Sequence, residues 1–551
     1  MYILLIKTLI NSILLSRKVI DIMTRITIDG NKMLTGEVKI SGAKNSAVAL
    51  VPMAILSKSK TVIYNVPEIS DIEYLIKIME LLNCTVEHKN DALYIDSSNV
   101  INKPIPEELS VQMRASYYFM GILLARFGRV EISFPGGCNI GARPIDIHIK
   151  GFEELGAHVE IIKNRYIITA EKLIGKKIYF DFPSVGATIN IMFAAIGAEG
   201  TTVIENAAME PEIVNVASFL INMGAKIRGA GTKRIEIEGK CPLDEGIIEV
   251  FPDRIESGTY IIIGALLGKN LKIKGIIREH IESLLIKLKE IGVHYEIDGD
   301  TLTISKCEHI KSTYIKTLAF PGFPTDLQQP ITTLLTQANG RSIIEETIYE
   351  NRFKNTIELN KMGADTKVLS IHKLEVNGPT KLKGMDVTAT DLRGGASLLI
   401  AALIAEGKTN IDNIYGAGDV TGRNPIWPTA VKEGIIAANN MLGKEMIMTD
   451  FFGSKNTMNF VGIATMSLGA VEPEDETYIV EVKNDEKGYK KIIHKDGKIY
   501  GALIQGDLDY AGVLTQLIKE KIDVSKVTKS LFDIDYADFF NIEKNFEFSY
   551  K

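Results

Sequence analysis

At 551 residues the chain is too long for one ordinary hydrophobic core, so two to four domains are expected. Its 46% apolar and 24% charged residues are the composition of a soluble globular protein, and a net charge of −6 excludes a nucleic-acid footprint. An anionic substrate would therefore need a local cationic cleft.

Residues Met1 to Ile22 are rich in Ile and Leu but carry Lys7, Arg17 and Lys18. Their apolar runs fall short of the roughly 20 residues that a bilayer span needs. The stretch reads as a weak signal or interfacial helix, or as an extension ahead of the folded part. No other segment reads as transmembrane. From Glu37 to Ile40 a strand leads through Ser41-Gly42-Ala43 into a helix opening with Lys44 and Asn45. A helix N-terminus beside a lysine binds anions through backbone donors and charge together, although a lysine at a helix start is commonly just solvated.

The strand-like run Arg129 to Phe134 ends in Pro135-Gly136-Gly137-Cys138-Asn139-Ile140-Gly141-Ala142-Arg143-Pro144, and a helical pattern begins near Asp146. Glycine lifts the limits that a Cβ sets on the backbone, so this is an exposed loop with a thiol at its centre. Arg143 can bind phosphate or carboxylate through its planar fork and favours thiolate over thiol. A glycine-rich turn with an incidental cysteine is the plainer alternative. The other cysteines, Cys84, Cys241 and Cys307, show no CxxC and no metal-ligand spacing, which suits a reducing cytoplasm.

An internal repeat organises the chain. A helical run ends in a small-residue stop and a short strand follows, with stops at Gly128, Gly200, Gly268, Gly340 and Gly407, spaced 67 to 72 residues apart. Each is expected to end its helix in the left-handed conformation. A second helix follows in each unit and stops at Gly156, Gly224, Gly292 or Gly363, and two short strands complete the unit. A more divergent first unit covers about Leu34 to Asp96, and a sixth begins at Leu382. This period is too long for a solenoid and suits packed α/β units that share cores. Ahead of the helical run that stops at Gly340, Pro321-Gly322-Phe323-Pro324-Thr325-Asp326 holds a carboxylate on a loop stiffened by two prolines. Asp326 could be a general base or a helix N-cap for Leu327 onward.

The cysteine loop resembles the active-site loop of the UDP-N-acetylglucosamine 1-carboxyvinyltransferases, a family of enolpyruvyl transferases. The resemblance runs from about Thr24 to Tyr415 and includes Ser41-Gly42-Ala43-Lys44-Asn45, Met113-Arg114-Ala115-Ser116, Ser184-Val185-Gly186-Ala187-Thr188, Phe323-Pro324-Thr325-Asp326, Glu350-Asn351-Arg352-Phe353 and Ala389-Thr390-Asp391-Leu392-Arg393. It implies an α/β fold, a two-lobed inverse α/β barrel built from repeated α/β units, with the active site between the lobes. One lobe is expected over 44–252 and the other over 24–43 with 253–413. Residues 1–23 then read as an N-terminal extension.

The resemblance also implies transfer of the enolpyruvyl group of phosphoenolpyruvate to the 3′-hydroxyl of UDP-N-acetylglucosamine, a cytoplasmic step of cell-wall synthesis. Cys138 would supply a proton to the methylene carbon and Asp326 would serve as base. Lys44, Asn45 and Arg143 would bind phosphoenolpyruvate. Arg114, Arg143, Pro144, Ile145, Asp146, Ile147, Ser184, Val185, Gly186, Asp326 and Ile348 would bind the nucleotide sugar, with Arg352, Asp391 and Arg393 lining the cleft. For Asp391 and Arg393 the plainer alternative is a charged pair on a surface loop. Neither a metal nor a cofactor is expected, and the partners are the two small-molecule substrates.

After Tyr415 the family's continuation, His-x-Asp-Arg-Gly-Tyr, is replaced by Gly416-Ala417-Gly418-Asp419-Val420-Thr421-Gly422. The family's phosphoenolpyruvate-binding arginine is therefore absent, and weaker binding of that substrate is expected. Residues 414–551 instead resemble the tail of flavin-dependent pyridine nucleotide–disulfide oxidoreductases. Asp419 stands at the flavin-ribityl position, Pro428 to Asn440 reads as a helix, and a hairpin turns at Asp496-Gly497. No GxGxxG follows a strand upstream and there is no redox cysteine pair, so FAD is not expected to bind. Two alternatives stand beside the transferase: a homologue that binds nucleotide sugar without turnover, and a flavin or NAD oxidoreductase based on the tail.

Overall fold

The sequence repeat folds as an edge strand, a buried helix, a central strand, an amphipathic helix and a hairpin. The structure is a computed structural model that describes residues 25–89, 92–136, 145–413, 455–460, 463–470, 472–473, 475–485, 488–508, 511–542 and 548–550. The unit from Tyr314 to Gly378 shows the plan. Strand Tyr314–Lys316 pairs parallel with Gly340–Glu345, which pairs antiparallel with Lys373–Gly378, and Asp365–Ser370 forms the far edge. Alternation puts Ile315, Ile344, Leu374 and Val376 on one face, where all four are buried. The helix between the first two strands, Gln328–Leu335, is buried along its whole length.

Residues 60–249 build three such sheets. Their shared core runs from Ala43 to Val250. Residues 25–39 and 271–412 build three more. In the last of these, Asp386–Thr388 and Lys408–Asp412 are joined by the N-terminal strand Arg25–Asp29, antiparallel to Lys408–Asp412. This sheet has three strands among the described residues, against four in the unit shown above. The chain crosses between the two groups of sheets twice, and the crossings lie side by side. Ala43 N–H donates to Phe251 O at 2.8 Å, and Asp253 N–H donates to Ser41 O at 2.8 Å.

The amphipathic helices end alike. Gly156, Gly224, Gly292 and Gly363 have positive φ, and in the first unit Asn83 takes that place at φ 66. The next N–H returns to the carbonyl five residues back, as in Ala225 to Leu220 at 2.9 Å and Cys84 to Met79 at 2.9 Å, which is the Schellman closure. The expectation for the other five glycines holds less uniformly. Gly128 caps its helix at φ 67. Gly200, Gly340 and Gly407 have positive φ in the turns that lead into strands. Gly268 is extended, at φ −66. Its glycine is required by proximity, since a Cβ would lie 2.6 Å from Gly264 O and 2.9 Å from Ile304 O.

The described residues fall into two compact units, within Thr24–Ile414 and within Tyr415–Lys551. In the second, strands Lys455–Phe460, Ile463–Gly469, Lys498–Gly506, Gly488–Lys495 and Ile479–Asp485 lie side by side in that order. The hairpin turns through Asp496 and Gly497, both at positive φ, as the sequence indicates. Helix Ala511–Glu520 buries Val513, Leu514 and Leu517 in a core with Leu468, Ile492 and Ile504. Tyr415 to Thr421 and Pro428 to Asn440, like residues 1–23, lie outside the described residues.

Candidate active site

Asp326 is the centre of a buried charge network. Local sequence admits it as a helix cap, but Pro324 holds the cap position of the turn Thr325–Leu327 and no side-chain cap bond forms. Asp326 Oδ1 accepts from Arg352 Nη2 at 2.8 Å, and Oδ2 accepts from Arg393 Nη2 at 3.2 Å. The arginine side chains are 3% and 9% exposed and that of Asp326 is 27% exposed, so of the three the aspartate is the one that reaches the surface. Burial works to raise the Asp326 pKa, but the guanidiniums of Arg393 and Arg352 override it and hold the carboxyl well below the usual carboxylate range.

Five helices carry the labels α1 (Lys44–Met53), α2 (Pro211–Asn222), α3 (Arg254–Leu267), α4 (Gln328–Leu335) and α5 (Leu392–Ile404), and the network continues through α4 and α5. Asp391 caps α5, accepting from the N–H groups of Arg393 and Gly394 at 3.0 Å each. Gln329 on α4 donates to Asp391 Oδ2 at 3.2 Å and to Arg352 O at 2.9 Å. Asp391 and Arg393 are therefore a cap and a buried partner of Asp326, not a pair on a surface loop. Fully buried Glu346 ties in the neighbouring chain, accepting from Thr325 Oγ1 at 2.9 Å and from Ile348 N at 2.8 Å.

Lys44 and Asn45 open α1 directly after the crossing. Asp253 caps α3 through Oδ1 and accepts from Lys44 N at 3.2 Å through Oδ2, which fixes the start of α1. Lys44 Nζ pairs with Asp71 at 2.9 Å, and Asn45 is exposed. Beside them Glu256 is buried and accepts from Ser41 N at 3.2 Å. Burial, and then the charge of Asp253, push its pKa up to about 7. Gly42 shapes this corner, because a Cβ there would lie 1.9 Å from Asn65 O. Gly42→Ala is expected to destabilise the protein by about 1–3 kcal/mol, read as a lowered urea midpoint, since neither backbone can move freely.

A second cluster brings together Arg114, the helix Asp146–Glu154 and the segment Ser184-Val185-Gly186. Tyr117 links them: the Arg114 guanidinium lies 5.8 Å from its ring centre, and the His148 ring is 4.8 Å away. Gly186 packs so close that a Cβ would meet Tyr117 Oη at 2.6 Å and His148 Cε1 at 3.1 Å. Ser184 caps the helix that Val185 begins, accepting from Ala187 N at 3.3 Å. Asn190 Oδ1 accepts from Gly121 N at 2.9 Å, so its Nδ2 donates to Tyr117 O at 2.9 Å and to His148 Nδ1 at 3.0 Å. That assigns His148 the neutral form with its proton on Nε2. Burial, followed by the Arg114 charge, lowers its pKa to about 3.

Cys138, Arg143 and Pro144 lie outside the described residues. Of the remaining cysteines, Cys84 is buried and burial pushes its thiol up to about 12, which makes it inert. Among the described residues no group of three or more metal-binding side chains comes together.

The model of the EPSP synthase (3-phosphoshikimate 1-carboxyvinyltransferase) family matches residues 28–419. UDP-N-acetylglucosamine 1-carboxyvinyltransferase 2 of Listeria monocytogenes is 50% identical over 390 residues, which cover 71% of this chain and 92% of that protein. The chain belongs to the enolpyruvyl transferase family. The Bacillus subtilis protein of the same name is 49% identical over 393 residues, 71% of this chain and 91% of its own. The enolpyruvyl transferase NikO from Streptomyces tendae superposes with a TM-score of 0.65 at 25% identity, covering 70% of this chain and 92% of that one. An EPSP synthase from Acinetobacter baumannii, at 17% identity and a TM-score of 0.56 over 70% of this chain and 93% of its own, shares the fold. Residues 455–522 match the rubredoxin NAD+ reductase C-terminal domain. The enolpyruvyl transferase part is thus joined to a fragment of a second family.

Several residues of this candidate site escape sequence reasoning. Glu346 follows Ile343-Ile344-Glu345 at a strand end and reads as a solvated charge. Tyr117 and His148 sit in apolar helical runs and read as core. The one available signal was proximity in sequence to Arg114 and Asp146.

Proposed function

We propose that residues 25–413 transfer the enolpyruvyl group of phosphoenolpyruvate to the 3′-hydroxyl of UDP-N-acetylglucosamine, releasing phosphate, in the first committed step of peptidoglycan synthesis. The observation that carries this reading is the partly exposed Asp326 carboxylate, held charged by Arg352 and Arg393 in a chain half identical to enzymes of that name. In the addition step the sugar oxygen bonds to C2 of phosphoenolpyruvate, its proton passes to Asp326, and Cys138 protonates C3. Elimination then returns a proton from C3 to the Cys138 thiolate and expels phosphate, which carries off the proton held by Asp326, and the double bond is restored. A carboxylate held at so low a pKa accepts the hydroxyl proton only as the C–O bond forms.

Lys44, Asn45 and Arg143 hold phosphoenolpyruvate in this reading, with the α1 N-terminus adding backbone donors. Arg114, Arg143, Pro144, Ile145, Asp146, Ile147, Ser184, Val185, Gly186 and Ile348 hold the nucleotide sugar. Both substrates bring the reacting bonds, so no cofactor is needed. Among the described residues no helix is long and apolar enough to cross a membrane, and we place the reaction in the cytoplasm. The sequence lacks the family's arginine after Tyr415, and a lost charge-assisted contact costs about 1.5–3 kcal/mol, which should appear as a raised KM for phosphoenolpyruvate. That absence also favours a second reading, a nucleotide-sugar binder without turnover.

The full-length chain is expected to release phosphate from phosphoenolpyruvate only when UDP-N-acetylglucosamine is present. Fosfomycin should add one molecule to Cys138, seen by peptide mass spectrometry, and silence release in proportion. Calorimetric binding of the nucleotide sugar with no phosphate release at saturating phosphoenolpyruvate would overturn the transferase in favour of the binder. Flavin absorbance in the purified protein would instead favour an oxidoreductase role for the tail.

A further inference from the structure

We propose that Glu210, Glu212 and Arg254 form an interlobe clasp whose role is to position the Asp326 loop; the assignment rests on Asp326 acting as proposed above. Arg254 is the first residue of α3, directly after the crossing, and belongs to the second group of sheets. Its Nε donates to Glu212 Oε1 at 3.2 Å, and the two side chains are 11% and 4% exposed. Glu212 lies in the first turn of α2, in the first group. A cation of one lobe is therefore buried on a carboxylate of the other, beside the segments on which the lobes join.

The same cluster grips the loop. Phe320, six residues before Asp326, donates its N–H to Glu210 Oε1 at 3.4 Å. The Arg254 guanidinium stands 5.8 Å from the Phe320 ring centre, within cation–π reach. Burial works against the charge of Arg254, but Glu212, Glu210 and Asp326 together overcome it and raise its pKa, so this arginine also feels the proposed base directly. At the far end of the loop, Thr325 is held by Glu346 on the second-lobe sheet. One end of the Asp326 loop is thus referred to the first lobe and the other to the second.

Stability alone does not account for the cluster. Glu210 Oε2 and Glu212 Oε2 are buried without a hydrogen-bond partner. Such a partly satisfied cluster is costly, and replacing a buried ion pair by apolar residues of similar size is often neutral or stabilising. A positioning role separates from a structural one at this point.

The test is the paired apolar variant Glu212→Leu with Arg254→Met in the full chain, beside the single variants Glu212→Gln and Arg254→Lys. The pair should keep the wild-type urea midpoint. Amide exchange in the peptide spanning 318–327 should rise at least fivefold, while strands Thr201–Glu205 and Gly340–Glu345 stay as protected as before. With substrates, kcat should fall at least tenfold while the KM for UDP-N-acetylglucosamine stays within twofold, and Arg254→Lys should recover part of the loss. Unchanged exchange in 318–327 would overturn the clasp, as would faster exchange spread evenly over both lobes. Exchange is read without turnover, so an inactive wild type would overturn the proposed function and leave the clasp decided by its own result.

Discussion

Asp326→Asn is expected to lower kcat by about 10²–10⁴-fold, the usual worth of a positioned proton acceptor. The amide keeps the shape of the carboxylate and can still accept one bond from Arg352 or Arg393, so the loop geometry should survive. It cannot take a proton from the sugar hydroxyl, and it leaves two buried guanidiniums without a counter-charge. The KM for UDP-N-acetylglucosamine should change much less than kcat, because most of the proposed nucleotide pocket lies around Arg114, Tyr117 and Gly186. Steady-state phosphate release, normalised to folded protein by circular dichroism, measures both. Because the arginines hold Asp326 well below the usual carboxylate range, its protonation should not set the acid limb of the wild-type rate profile. A limb found at an ordinary carboxylate pKa would have to belong to another group. A loss of less than threefold would remove Asp326 from the role of base.

The sequence made the repeat legible and the site only in outline, for a physical reason. Helix stops depend on neighbours within a few residues, so Gly156, Gly224, Gly292 and Gly363 could be read directly, and so could the Asp496-Gly497 turn. Gly268 misled because a glycine needed for close backbone approach looks like one needed for positive φ. The same limit applies to Asp326. Nearby residues allow either a cap or a base, and the deciding partners, Arg352 and Arg393, stand 26 and 67 residues further along. The clasp lies further from sequence reasoning still, since Phe320 and Glu210 are 110 residues apart. What sequence supplied in place of geometry was the resemblance. It named Arg352, Asp391 and Arg393 as cleft residues without giving their arrangement, in which one carboxylate caps a helix and the other takes both arginines. Glu346, Tyr117, His148 and Gln329 carry no such signal, because each acts by holding another residue in place.

Arg352→Met carries the other large effect, a loss of stability of about 3 kcal/mol at neutral pH, the low end of what breaking a buried ion pair costs. The Met stem can still fill space beside Tyr349, whose ring centre is 5.0 Å from the guanidinium, so packing is largely kept and charge is what changes. Arg393 remains on Asp326, which argues for the low end. The dependence on pH follows in sign. In the wild type the folded pKa of Asp326 is depressed, so its stabilisation is fully present above the unfolded value and is lost as pH falls through the folded one. Without Arg352 the folded pKa rises, and the variant surrenders that stabilisation at a higher pH. The gap between the two proteins should therefore be widest near neutrality and shrink toward about pH 4 as the variant's raised folded pKa is approached, because the unfolded aspartate is the same in both and cancels from the gap. Urea unfolding at both pH values measures it. A gap that stays constant would mean that Arg352 stabilises by packing, and that Arg393 alone holds the carboxylate in its charged form.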